Sequence, residues 1–298
     1  MNNNFLENKI LFLGCGKMGK AILLNILDNS KLNPSNILIC KKSPEINISS
    51  SCKNDKISQI NITNIKNIPQ NFTADIVFIC IKPQNSDIVI EELLNNKNCY
   101  HHNTIFISIL AGKKINFFTN ILTKNNLKLP KIIRIMPNIG LYHQLGVIPY
   151  MYNQNINDNE MDLINHYIFI NFGKLIMLNQ ENEFDVFTAI FGSGPALIFY
   201  LQKIFTKITS EYGINIEISE NLIKQLFLGS AKFASNSNSN NITNSNIADF
   251  DYLISQIASK GGTTEAAINI LDDNNKILEN IIRTAINKAI IRSKELSL

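Results

Sequence analysis

Two short stretches of this 298-residue chain carry residue types and spacings that could do chemistry. The first is Gly14-Cys15-Gly16-Lys17-Met18-Gly19, which follows the apolar run Ile10 to Leu13 and opens a second apolar run with helical spacing. Glycines at this G-x-G-x-x-G spacing let a strand turn sharply, let backbone approach a pyrophosphate, and let helix pack on strand. The first N–H groups of the helix then face the phosphates, which is the chemistry of a dinucleotide site. The second stretch is Ser259-Lys260-Gly261-Gly262-Thr263-Thr264-Glu265, directly before a helical run from Glu265 to Asp272. Backbone N–H groups and hydroxyls at a helix N-terminus hold a carboxylate well. On residue type alone the plainer reading is a capping threonine, with Glu265 complementing the helix dipole.

The elements needed to position the first stretch follow in order. A helix from Lys17 to about Asn29 leads to the apolar run Asn36 to Cys40, then Lys41-Lys42-Ser43. In a nucleotide-binding βαβ unit the end of this second strand meets the adenosine ribose, where an acidic residue suits a 2′-hydroxyl and basic residues a 2′-phosphate. No Asp or Glu lies between Cys40 and Glu45, so the expected cofactor is NADPH, with NADH as the alternative. Ala74 to Ile81 is a continuous β-branched run of the buried parallel kind, ending in Lys82-Pro83-Gln84. Thr104 to Ile109, followed by Ala111-Gly112, and Lys131 to Ile135, followed by Met136-Pro137-Asn138, repeat the arrangement. Open α/β sheets bind ligands at the carboxyl ends of their strands, which makes Ile81, Lys82, Pro83, Ala111, Gly112 and Asn138 candidate cofactor contacts. Any one of them alone is explained by turn chemistry. The alternation predicts a doubly wound sheet, which Gly146 to Met151 and Gly173 to Leu178 could extend.

Past about Asn179 long amphipathic segments replace short strands, so domains are expected at 1–178 and 179–298. Ser193 is placed to cap a helix with Pro195 in its first turn, running to about Tyr212 and ending at Gly213. Ser219 opens the next, and Ser235 to Asn246, almost wholly Ser and Asn, is expected to be a flexible connector. A final helix from Lys276 to Glu295 carries an apolar stripe, and the surplus of apolar faces predicts dimerisation.

Composition narrows the function classes. With 45% hydrophobic and 17% charged residues the chain can bury a real core. The net charge of +4 is scattered, which gives nucleic-acid binding little support. Apolar runs fall well short of the roughly 20 residues that cross a bilayer, and the polar start leaves no room for a signal peptide. Five cysteines without C-x-x-C spacing are expected to be reduced thiols in a cytoplasmic protein. The four histidines lie apart from any carboxylate or cysteine cluster, so no metal site is expected.

Six segments in order, FLGCGKMGKA, VFICIKPQ, SILAG, RIMPN, TAIFGSGPA and SKGGTTEAAINIL, span nearly the whole chain. In them the sequence resembles the pyrroline-5-carboxylate reductases. The resemblance implies an α/β Rossmann-type doubly wound sheet that binds NAD(P)H, followed by an all-α domain that intertwines with a second subunit. A homodimer, or a larger oligomer built on dimers, is expected. It also implies reduction of 1-pyrroline-5-carboxylate to L-proline, with substrate contacts from Gly262, Thr263, Thr264, Ser193, Gly194 and Ile257. Thr264 would hydrogen-bond the imine nitrogen and then have to face the nicotinamide, across a subunit boundary. The chain departs from the family pattern at Ile139-Gly140, Lys260 and Leu197. A hydroxy-acid dehydrogenase would instead need a lysine base, with Lys224 and Lys232 as candidates. A non-catalytic dinucleotide-binding protein is the alternative from a different class.

Overall fold

The computed structural model describes residues 5–29, 32–42, 60–236, 250–272 and 275–296. They form two compact units, Met1–Gly192 with Ala289–Leu298, and Ser193–Lys288. Residues 179–192 therefore pack with the first unit.

The first unit is built on an eight-stranded sheet: β1 Ile10–Leu13, β2 Ile37–Cys40, β3 Asn61–Thr63, β4 Ala74–Ile79, β5 Tyr100–Ser108, β6 Lys131–Ile135, β7 Gly146–Tyr152 and β8 Gly173–Met177. The spatial order is β3-β2-β1-β4-β5-β6-β7-β8, parallel from β3 to β6, with β7 antiparallel to β6 and β8 parallel to β7. The order reverses between β1 and β4, where an open α/β sheet forms its crevice. β1, β2 and the part of β4 beyond Asp75 read as unbroken apolar runs because both of their faces are covered. On one face Phe12 stacks on Phe78 at 4.8 Å beneath helix α1 (Lys17–Asn29) and helix α4 (Asp158–Ile164). On the other, Leu11, Val77 and Phe106 pack against α2 (Ser86–Asn95) and α3 (Ile115–Lys124).

The second unit is helical. α5 (Glu183–Phe187) and a wide turn, Thr188–Gly192, still belong to the first unit and lead into α6 (Gly194–Glu211); α7 (Ile216–Asn236), α8 (Phe250–Ser255), α9 (Thr263–Leu271) and α10 (Ile277–Leu296) follow, α10 counting with the first unit from Ala289 on. Ser193 does not cap a helix start. Its backbone is already helical and its side chain makes no cap bond, because the chain arrives from α5 as helix. Gly213 does end α6, at φ +91°. α7 begins before Ser219, since Asn215 accepts the Glu217 N–H at 2.8 Å and supplies the cap. Most of the expected Ser/Asn connector, residues 237–246, lies outside the described residues.

Glu183–Glu211 forms one helical run of 29 residues whose most apolar window has a mean hydropathy of 1.5. By length and composition it could cross a membrane, contrary to the expectation from short apolar runs. Asp185, Thr188 and the segment Gly192-Ser193-Gly194-Pro195 break this stretch into short runs, although the window as a whole stays apolar. Its side chains are mostly exposed, and no α6 residue is buried.

Candidate active site

The three glycines of the first motif are needed for different reasons. Gly14 sits at φ +80°, where a Cβ would lie 2.9 Å from both the Cys80 carbonyl oxygen and Ile81 Cγ2. Gly19, in the first turn of α1, would place a Cβ 2.9 Å from Cys80 Cβ. Those two positions are set by the approach of β1 and α1 to the end of β4. A Cβ at Gly16 would meet nothing within 4 Å, so that glycine faces open space. Hydrogen bonds from Gly14 N–H to Cys40 O (2.7 Å) and from Cys80 N–H to Leu13 O (2.8 Å) fasten the turn to the strands on either side.

Above this turn is a cavity of about 590 Å³. Gly14, Gly16, Lys41, Lys42, Ile81 and Lys82, all expected as cofactor contacts, line it together. Gly16 leaves room for a phosphate to reach backbone, and the lysines supply cations, so the residues present fit a phosphorylated dinucleotide. Lys17 and Met18 lie beside the turn in α1, where the Lys17 carbonyl accepts the Tyr142 hydroxyl at 2.6 Å. Pro83 opens the short turn after β4, and Gly112 takes φ +76° after β5, next to Ala111. Ser43 lies outside the described residues.

Cys15 lines the same cavity, but burial pushes its thiol up to about 11 against the pull of Lys41 and Lys20. Burial likewise raises Cys40 to about 12 and Cys80 well above the ordinary thiol value. These are neutral packing groups near pH 7, not nucleophiles. Cys99 is also free.

Asn138 is buried and braces the fold. Its Oδ1 accepts the N–H groups of Gly140 and Val147 at 3.2 Å, and its Nδ2 donates to the Phe191 carbonyl at 3.0 Å.

In the helical unit Gly261 takes φ +72° and donates its N–H to the Glu265 carboxylate at 2.7 Å. Gly262 is the N-cap of α9, with no side-chain cap bond, so the expected capping threonine is not found. A Cβ at Gly262 would lie 2.9 Å from the Ser259 carbonyl oxygen, a backbone atom that cannot turn aside, which favours glycine there. Glu265 occupies the preceding N–H and leaves the first turn of α9 open in front of a half-buried Thr264 and an exposed Thr263. Gly194 begins α6 beside Ser193, and Ile257 is exposed beyond α8 on an apolar groove lined also by Phe205, Leu226 and Phe250. Lys224 is engaged in an ion pair with Glu220, one turn away. Among the described residues no group of three or more His, Cys, Asp or Glu could hold a metal ion.

Comparison with known proteins bears on both units. A family model described as pyrroline-5-carboxylate reductase dimerisation matches residues 181–296, and one described as NADP oxidoreductase, coenzyme F420-dependent, matches residues 9–112. The pyrroline-5-carboxylate reductase of Staphylococcus haemolyticus is 29% identical and that of Staphylococcus epidermidis 30%, each over 97% of this chain and 98% of the relative. The chain belongs to the pyrroline-5-carboxylate reductase family. Among solved structures, the reductase from Coxiella burnetii has a TM-score of 0.77 at 25% identity, covering 98% of this chain and 99% of its own. The Plasmodium falciparum pyrroline carboxylate reductase with NADP bound has a TM-score of 0.75 at 22% identity, covering 98% of both chains. Within this reductase fold, sequence reasoning missed Asn64, Ile65, Lys66, Asn85, Val89 and Glu92, which share the cavity with Gly14 and Gly16. β3, which brings three of them there, has only three residues and no buried one, so it leaves no apolar run to recognise.

Proposed function

We propose that this protein reduces 1-pyrroline-5-carboxylate to L-proline with NADPH, the last step of proline synthesis. The reading is carried by the likeness to reductases of that name along 97% of the chain. The bound dinucleotide supplies the hydride that reaches the imine carbon. The protein's part is to bind, orient and exclude water. Gly14, Gly16 and the first turn of α1 would hold the pyrophosphate, and Lys41 and Lys42 the adenosine end. NADH is the weaker cofactor.

On the substrate side, backbone N–H groups of Gly262 to Thr264 at the start of α9 hold the carboxylate, and the Thr264 hydroxyl positions the imine nitrogen. A protonated imine is already electrophilic, so a hydroxyl suffices and no lysine base is required. Ser193, Gly194 and Ile257 complete the substrate contacts. α6 buries none of its residues, and it exposes Phe199, Tyr200 and Phe205; a second copy covers these faces in a homodimer. The enzyme works in the cytoplasm, without nucleic acid, membrane or metal.

The test is a steady-state assay of the purified protein with the imine and each nicotinamide cofactor in turn. Imine-dependent NADPH oxidation that yields proline is expected. NADPH binding without turnover, or proline-independent oxidation of a hydroxy acid, would overturn the reading.

A further inference from the structure

We propose that Lys66 is a determinant of cofactor choice, closing a cationic wall around the 2′-phosphate of NADPH; the inference rests on the dinucleotide reading of the cavity. With the pyrophosphate at Gly14 and Gly16, the adenosine ribose falls beyond the end of β2. β3 ends alongside: Thr63 is in register with Cys40, and the Lys41 N–H donates to the Thr63 carbonyl at 3.0 Å. That bond joins the loop carrying Lys41 and Lys42 to the loop carrying Lys66.

The turn Ile65–Asn67 is itself pinned. The Asn67 N–H donates to both the side chain and the carbonyl of Asn64, each at 3.1 Å, and Thr63 Oγ1 donates to the Asn67 carbonyl at 3.3 Å. Lys66 is exposed and lines the cavity from this fixed base. A phosphate monoester carries about −1.5 to −2 charges near pH 7. Glu92 of α2 adds a carboxylate to the same cavity, and Lys82 follows Cys80 and Ile81, which the glycine turn of the pyrophosphate approaches. At the end of β2 the phosphate thus meets Lys41 and Lys42, and Lys66 adds a third cation from β3. A 2′-hydroxyl presents no such demand, and NADH is indifferent to the residue.

The experiment is calorimetric titration of full-length Lys66→Gln with adenosine 2′,5′-bisphosphate and with AMP, beside the unaltered protein. The bisphosphate should bind about tenfold more weakly and AMP within about twofold of its starting affinity, with Lys66→Arg restoring the former. kcat/KM for NADPH should fall by the same factor while that for NADH holds. Equal losses for both probes, or no loss for either, would overturn the assignment. Because the probes need no imine, failure of the proline assay would leave this result readable, and the two readings fall separately.

Discussion

The side-chain amide of Asn138 donates to the main-chain carbonyl of Phe191 at 3.0 Å. In an uninterrupted helix that carbonyl would accept the N–H of the residue four positions on, which here is Pro195 and has none. Asn138 thus supplies the donor that proline withholds, and it ties the end of β6 to the root of the long helix. Asn138→Asp keeps the acceptor for Gly140 and Val147 but removes the donor and brings charge to a buried carbonyl. It should cost about 1–3 kcal/mol of stability in denaturant unfolding, and Asn138→Ala at least as much. A stability unchanged in both variants would deny the bracing role.

Arg134 and Glu181 make a second tie in the same unit. The buried guanidinium donates to Glu181 Oε1 at 2.8 Å and lies 4.2 Å from the centre of the Phe184 ring, while the same oxygen accepts the Ile115 N–H that opens α3. Removing the carboxylate leaves a buried cation uncompensated. Glu181→Ala should cost about 3–5 kcal/mol, and Arg134→Met combined with Glu181→Leu should recover much of it. A double variant no more stable than Glu181→Ala would refute this account.

Gly16 and Gly19 should separate binding from folding. Alanine at Gly19 must displace Cys80 and should lose about 1–3 kcal/mol of stability. Alanine at Gly16 meets nothing in the protein, so thermal unfolding should be unchanged while NADPH affinity falls by about tenfold or more. Intact NADPH binding in Gly16→Ala would remove the phosphate from that turn.

Asp75 should shape the acid limb of stability. Burial raises its carboxyl, but hydrogen bonds from His101 and the Lys9 N–H outweigh it and hold the group below its ordinary value. His101 Nδ1 accepts the Asn103 N–H, so Nε2 carries the proton that meets Asp75 Oδ1 at 3.1 Å. A depressed folded value means the contribution is present above about pH 4 and is lost as pH falls through that value. Asp75→Asn should flatten the stability profile in that window. A slope that persists in the variant would assign it to other carboxylates.

The Asp75–His101 pair shows where sequence reasoning stopped, because the residues are 26 apart and nothing local marks them as neighbours. The same holds for Arg134 with Glu181, 47 apart, and for Lys66 with the glycine turn. By contrast β1, β2, the run of β4 beyond Asp75 and the glycine turn were legible, since strand residues covered on both faces must be apolar and a turn against β4 must be glycine. The motif also placed Ser193 near a helix junction. It mistook continuation for a start, because Ser-Gly-Pro has the residue types of a cap whether or not helix precedes it.

Thr264 bears the largest functional prediction. Gly261 already satisfies Glu265, and Gly262 caps α9 without help from a side chain, so neither threonine hydroxyl is needed to begin the helix. Thr264→Ala should therefore leave unfolding unchanged, yet lower kcat with the imine about 100-fold if the hydroxyl positions the nitrogen and relays a proton. The NADPH dissociation constant should hold, because the cofactor cradle lies in the other unit. Thr264→Ser should recover most of the rate. Thr263→Ala, which leaves the backbone N–H in place, should act mainly on KM for the imine. Equal loss of kcat and NADPH affinity in Thr264→Ala would move the residue out of the chemical step.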